Sequence, residues 1–112
     1  MFFFHNEQWH CFDVHSKLSN TSKSDLLYNL NNAIKSTHQQ IEKATHIIIT
    51  LGTAWVYNHL ELNKTVANCH KVPQKQFKKE LASIDAVFKS LKNCIELISN
   101  VNTKASIIFT VS

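Results

Sequence analysis

Residues 46–57 have the sequence HIIITLGTAWVY, and this run gives the clearest indication of the fold class. Residues 46–51 are rich in β-branched side chains and too few for an ordinary helix, so we expect a strand that is buried on both faces. Gly52, the only glycine of the chain, comes directly after this strand. In open α/β sheets, ligands bind at loops that follow the carboxyl ends of strands.

A helical periodicity begins after Pro73. Apolar residues recur at gaps of 4, 3, 4, 3, 4 and 3, at Phe77, Leu81, Ile84, Phe88, Leu91, Ile95 and Ile98. Proline suits the first turn of a helix, and the spacing predicts a helix over 74–99, ~39 Å long at 1.5 Å per residue. A coiled coil has similar spacing. A helix that crosses over a sheet is favoured because a second apolar strand, 105–111, follows.

These three elements form a predicted βαβ unit. Strand 46–51, helix 74–99 and strand 105–111 would bring two parallel strands together. Two strands of this kind leave both outer edges of their sheet exposed, and such edges tend to pair with further strands. We therefore expect additional strands from a longer chain, or a homo-oligomer that forms through the exposed edges.

The first half of the chain supplies the other elements. Ser22 and Asp25 approximate a capping box, and apolar residues then follow on one face, which predicts a helix over 23–43. Residues 55–57 and 65–67 are β-prone and are expected to form a short hairpin. The predicted fold is α/β, with two parallel core strands, a short hairpin and two long helices.

Size and composition limit the domain organisation. The 112 residues, 44% of them hydrophobic, fit one partial α/β domain. Residues 1–20 are rich in aromatic residues and histidine and are expected to be extended, whereas 21–112 form a helix-strand-hairpin-helix-strand core. No apolar run approaches the roughly 18–20 residues of a membrane span.

The charge and the cysteine content restrict the classes of partner and the cellular compartment that we expect. The formal charge is +4, yet all basic residues are lysines, and nucleic-acid recognition favours arginine. A solvated lysine face is therefore preferred over a nucleic-acid interface, which stays the less favoured alternative. Three cysteines are an odd number and fit free thiols in a reducing compartment, so a cytoplasmic location is expected. No cofactor is expected.

Two strings contain residue types that suit a site. They are TLGTAWVY at 50–57 and VANCHKVP at 66–73. Gly52 either shapes a sharp turn or leaves room for a ligand, and 68–70 form either a polar turn or a loop at the mouth of a site. Cys69 and His70 are a poor nucleophile pair because adjacent side chains rarely face each other. A metal site is disfavoured because zinc-motif spacings are absent from the set His10, Cys11, His15, Cys69 and His70.

Together with WHCFDVHS at 9–16 and IIFTVS at 107–112, these strings resemble the GSCFA-domain family. This bacterial group is related to the SGNH (GDSL-like) ester hydrolases. Cys11 stands where the family carries a small residue, and Ser112 would begin the family's Ser-Pro-Val-Arg-His block. The resemblance implies a partial three-layer sandwich of SGNH or flavodoxin type.

The resemblance also implies a chemistry. In SGNH enzymes, a loop glycine and asparagine help to form the oxyanion hole, but Ala54 and Trp55 replace the asparagine-bearing end here. The nucleophilic serine of the Gly-Ser-Cys-Phe-Ala string and the histidine of the Ser-Pro-Val-Arg-His block are absent. The isolated chain is therefore expected to be inactive, and its status as an enzyme stays open.

The favoured hypothesis is a core segment of an SGNH-like ester hydrolase or acyl transferase that acts on a small ester, carbohydrate or lipid. Its oxyanion and pocket residues would be Gly52, Thr53, Trp55, Tyr57, Asn68, Cys69, His70 and Ser112. The alternative hypothesis is a non-catalytic α/β interaction module that pairs through exposed strand edges.

Overall fold

A computed structural model describes residues 2–112 of the chain. The elements in chain order are β1 (Phe2–His5), β2 (Gln8–Cys11), α1 (Lys23–Lys43), β3 (His46–Leu51), β4 (Trp55–His59), β5 (Lys64–Val66), β6 (Phe77–Leu81), α2 (Ile84–Val101) and β7 (Ser106–Val111). Short 3-10 turns occur at Ser16–Leu18 and Gln74–Gln76. Within residues 2–112, neither helix combines the length and the hydrophobicity that a membrane span requires.

The chain divides into two compact units. Unit 1 comprises Met1–Ala33 and Trp55–Leu81, and unit 2 comprises Ile34–Ala54 and Ala82–Ser112. Helix α1 contributes to both units. The single partial domain expected from the chain length stays a prediction.

Unit 1 begins with a tight hairpin. Strands β1 and β2 pair antiparallel, from Phe2 opposite Cys11 to His5 opposite Gln8. The two turn residues, Asn6 and Glu7, have φ angles of 48° and 63°. Two consecutive left-handed residues are typical of the type I′ turns that join strands through two residues. Part of the 1–20 segment is therefore extended, as predicted.

The rest of unit 1 is a three-stranded antiparallel sheet in the order β5-β4-β6. One hydrophobic cluster contains Cys11, Leu26 and Leu30, and a second contains Phe12, Val66 and Phe77. The consecutive residues Cys11 and Phe12 thus pack in different hydrophobic clusters. This packing anchors the end of β2 to the rest of unit 1.

Several predicted elements are confirmed. Helix α1 has the predicted bounds, and the Asp25 amide donates to Ser22 Oγ at 3.3 Å, as expected at a capped start. Strand β3 has the predicted bounds, and β4 pairs antiparallel with β5 as the predicted hairpin. Strands β3 and β7 are parallel and in register from His46 opposite Ser106 to Leu51 opposite Val111. The partial α/β fold class is therefore confirmed.

The predicted helix over 74–99 is wrong in its first third. Phe77 and Leu81 lie in β6, which pairs antiparallel with β4, and α2 begins only at Ile84. A gap of four residues places two side chains on one face of a helix and also on one face of a strand. Ser83 caps α2, because its Oγ accepts from the Ala86 amide at 3.1 Å.

The expected burial of the parallel strands on both faces is also wrong. Ile48 in β3 is 66% exposed, and its partner Ile108 in β7, on the same face of the sheet, is 43% exposed. Within residues 2–112, β3 and β7 pair only with each other. One face of this sheet and its two outer edges are therefore uncovered in unit 2.

Asn102 connects three elements of unit 2. Its Nδ2 donates to the carbonyl oxygens of Ile41 and Ala44, at 2.8 Å each, at the end of α1. Its Oδ1 accepts from the amides of Lys104 and Ala105 at 2.9 Å and 3.0 Å, just before β7. One carboxamide thus satisfies backbone groups in the last turn of α1 and just after the ends of both helices.

We expect Asn102→Ala to lower the free energy of unfolding by about 2 kcal/mol, because several partly buried hydrogen bonds are lost together. Denaturant unfolding followed by circular dichroism measures this change. The control is Asn100→Ala at an exposed position of α2, expected to change stability by less than about 0.5 kcal/mol. Equal effects of both substitutions would contradict the assigned role of Asn102.

Candidate functional site

The structure distributes the predicted site residues between the two units. Unit 2 contains Gly52, Thr53 and Ser112, and unit 1 contains Trp55, Tyr57, Asn68, Cys69 and His70.

The unit 2 group lies at the carboxyl ends of the parallel strands. The Ser112 amide donates to the Leu51 carbonyl oxygen at 3.2 Å, and Ser112 Oγ donates to the same oxygen at 3.4 Å. Ser112 therefore lies against the residue that immediately precedes Gly52. Open α/β folds bind ligands at this end of the sheet, beyond the carboxyl ends of the strands.

The backbone conformation of unit 2 does not require a glycine at position 52. The φ angle of Gly52 is not positive, and a Cβ built on it would meet no atom within 4 Å. The hypothesis that Gly52 serves only to shape a sharp turn therefore loses its physical basis, because another residue could adopt this conformation. The open space beside Gly52 leaves room for a ligand to approach the backbone.

In unit 1, the 68–71 loop has a conformation that turns His70 inward. Asn68 Oδ1 accepts from the His70 amide at 2.8 Å, an arrangement typical of Asx turns. His70 and Lys71 follow with left-handed φ angles of 50° and 60°. The Asn68 amide itself donates to the Phe12 carbonyl oxygen at 3.2 Å, which anchors the loop to the chain after β2.

The His70 side chain is only 5% exposed. Its Nε2 lies 2.6 Å from the Cys11 carbonyl oxygen, and a carbonyl can only accept, so Nε2 carries the hydrogen. In the neutral ring Nδ1 is then an acceptor. Among the residues that the structure describes, nothing hydrogen bonds to this buried nitrogen.

His10 is buried beside His70, with ring centroids 4.8 Å apart. His10 Nε2 donates to the His5 carbonyl oxygen at 2.8 Å, and Nδ1 forms a hydrogen bond with the Ser19 hydroxyl at 2.6 Å. Both ring nitrogens of His10 are therefore paired, in contrast to those of His70.

Burial shifts the pKa values of two side chains in this loop, His70 and Cys69. It lowers the pKa of His70, as do the nearby His10 and His15, while the Cys11 and Val14 carbonyl groups oppose the change. A neutral His70 follows at neutral pH. Burial also raises the pKa of the Cys69 thiol, which leaves Cys69 without the thiolate character of a nucleophile.

A cavity of about 430 Å³ opens beside these residues in unit 1. We call it the polar pocket, and its lining residues are Asn6, Gln8, His10, Ser16, Asn68, His70 and Lys71. Asn68 and His70 were predicted as site residues. His10 and Ser16 belong to the WHCFDVHS string but were not predicted to line a pocket, and Asn6 and Gln8 carried no distinctive sequence signal.

The other predicted residues of unit 1 have different surroundings. Trp55 and Tyr57 share one face of β4, with Lys79 Nζ 5.1 Å and 5.9 Å from their ring centroids. Cys69 packs against the cluster that contains Phe12. None of the three lines the polar pocket. No group of three or more metal-binding side chains is close enough to hold an ion within residues 2–112.

One protein family matches this chain over its whole sequence. The model of the GSCFA family matches residues 1–112. This chain belongs to the GSCFA family. No curated protein and no solved structure matches this GSCFA chain. The resemblance inferred from the strings is thus confirmed at the level of the family.

The lowered pKa of His70 predicts acid sensitivity. An unfolded histidine has its ordinary pKa of about 6.5, so between the two pKa values the unfolded state binds more protons. The free energy of unfolding should fall as the pH decreases through about 6.5 toward the folded-state pKa. His70→Gln, with an amide that can replace the Nε2 donor, should lose less stability than the parent between about pH 7.5 and pH 5.

Denaturant titrations at several pH values test this prediction. His46→Gln, at an exposed position of unit 2, is the matched control and should keep the parent's pH dependence. If His70→Gln kept the same pH dependence as well, the contribution of a buried neutral His70 would be refuted.

Proposed function

We propose that this GSCFA chain is a core segment of an SGNH-like ester hydrolase or acyl transferase. The supporting observation is the parallel pair β3 and β7, with Gly52 and Ser112 at its carboxyl end, in a chain that belongs to the GSCFA family. In this proposal residues 1–112 supply oxyanion and substrate contacts. The nucleophilic serine and the histidine base belong to family strings that this sequence does not contain.

The chemistry is acyl transfer through a serine. The histidine removes the serine proton as the serine oxygen attacks the ester carbonyl carbon. It then gives that proton to the leaving oxygen, so the C–O bond breaks, the alcohol departs and an acyl-serine remains, which water or an acceptor hydroxyl resolves by the same two steps. The developing oxyanion needs preorganised donors. We assign this role to the backbone amide of Gly52. Thr53 and Ser112, at the carboxyl ends of β3 and β7, are assigned to shaping the same site.

The unit 1 residues are assigned to substrate binding. Asn68 would bind polar groups in the polar pocket, and His70 would form part of its wall. Trp55 and Tyr57 would offer aromatic surface. Cys69 is assigned to packing, because burial disfavours its thiolate. Fold alone does not define the substrate, and these assignments follow from the chemistry of the side chains.

The isolated chain should not hydrolyse p-nitrophenyl acetate above the buffer rate. A GSCFA protein that carries both family strings should hydrolyse it, and a fluorophosphonate probe should label its string serine. In that protein, alanine at the counterpart of Gly52 should lower kcat by about tenfold or more, because a methyl group would crowd the oxyanion donors.

Folding provides the control for this test. In the 112-residue chain, Gly52→Ala should keep or raise stability, by up to about 1 kcal/mol, because its Cβ enters open space. Serine at the counterpart of Ala54, an exposed residue of the same loop, should leave kcat unchanged. Turnover by the isolated chain that one of its own substitutions abolishes, or an unlabelled string serine, would contradict the proposal.

The exposed sheet of unit 2 favours a second candidate function, an interaction module that pairs with another copy of the chain. An isolated two-stranded sheet is marginally stable, and its open edges can add strands. Light scattering should then show a dimer that Ile108→Lys on β7 weakens and Ile34→Lys on α1 does not. A monomer at high concentration would exclude this candidate.

A further inference from the structure

We propose that the polar pocket binds a sugar residue that is neutral or negatively charged. The lining side chains carry amide, hydroxyl, imidazole and ammonium groups, and none carries a carboxylate. Amides both donate and accept hydrogen bonds, as sugar hydroxyls do. The sugar's role as part of a substrate rests on the proposed function, whereas its binding to the pocket is tested independently.

The oxygen of the Asn68 carboxamide is already used in a hydrogen bond within the 68–71 loop. This oxygen, Oδ1, accepts from the His70 amide at 2.8 Å, which leaves the Nδ2 hydrogens to donate to a ligand oxygen. Gln8 is exposed on β2 and lines the same pocket. Its carboxamide can therefore accept from one hydroxyl and donate to the next.

His70 forms part of the pocket wall. Its Nδ1 has no hydrogen-bond partner among residues 2–112 and is shielded from solvent, so the ligand is not assigned to this nitrogen. Because burial lowers the pKa of His70, the ring adds no charge to the wall at neutral pH.

Charge and polarity distinguish the sugar from other ligands. Lys71 contributes a positive charge to the pocket lining, and no lining carboxylate balances that charge. A cationic ligand would therefore be repelled. An acyl chain alone would remove water from the lining amides without replacing their hydrogen bonds, which is unfavourable. A hydroxyl-rich ligand without positive charge avoids both penalties.

The test is a titration of the ¹⁵N-labelled 112-residue chain followed by ¹H–¹⁵N correlation spectra. N-acetylglucosamine and glucuronate are the sugar probes, and glucosamine and octanoate are the cationic and lipid-like comparators. Both sugar probes should shift the amide signals of Gln8 and 68–71 and the side-chain amide of Asn68. Signals of β3 and β7 should stay in place.

Substitutions make the site assignment specific. Gln8→Ala should raise the dissociation constant for N-acetylglucosamine about fivefold, the loss expected for one hydrogen bond. Ser16→Ala is a second variant at the pocket, and Gln39→Ala, at an exposed position of α1, is the matched control. The spectrum of each variant without ligand reports whether it folds.

Three results would overturn the inference. They are an absence of pocket shifts with both sugars, pocket shifts with octanoate but not with the sugars, and unchanged affinity in both pocket variants. None of them bears on ester hydrolysis, which the serine probe tests separately. Failure of that probe would in turn leave sugar binding by the polar pocket standing.

Discussion

The hydrogen bond from His70 Nε2 to the Cys11 carbonyl oxygen joins segments 59 residues apart in the sequence. It fixes the tautomer of a buried imidazole and connects the 68–71 loop to the end of β2. The Asn68 side chain and two left-handed residues hold the loop in the conformation that this contact needs. The position of His70 in the wall of the polar pocket depends on this bond.

The aromatic surroundings of His70 explain why the ring stays neutral. Phe3 stacks on Phe12 with centroids 4.1 Å apart, and the His70 ring meets Phe3 edge-on at 5.8 Å. A charged imidazole in this apolar environment would lose hydration and would lie beside a second histidine, His10. The same packing that gives unit 1 its interior thus sets the acid–base state of its pocket.

Local sequence patterns predicted much of the fold. Helix α1 and strand β3 follow from a capping signal and a β-branched run, and their bounds need no long-range information. Strand β6 was missed because Phe77 and Leu81 fit a helix and a strand equally well, and only pairing with β4 resolves the choice. Exposure of Ile48 was missed because a β-branched run does not report which face of a sheet is covered.

The candidate site was predictable only in part, for the same reason. Asn68 and His70 stood out because an amide and an imidazole share one short loop. Gln8 and Ser16 enter the polar pocket through the hairpin of β1 and β2 and the segment after it, and their approach to the 68–71 loop is a tertiary contact without a local signature. Gly52 is the reverse case, since its sequence context was informative and its backbone conformation is ordinary.

The central claim is that His70 is a buried neutral imidazole whose Nδ1 accepts no hydrogen bond from residues 2–112. Long-range ¹H–¹⁵N correlation spectra of the histidine rings, recorded across a pH titration, test it most directly. The account predicts a neutral His70 with its hydrogen on Nε2, an Nδ1 that accepts no protein hydrogen bond, and a pKa below the ordinary value of about 6.5. A hydrogen on Nδ1, or a pKa at or above that value, would contradict it.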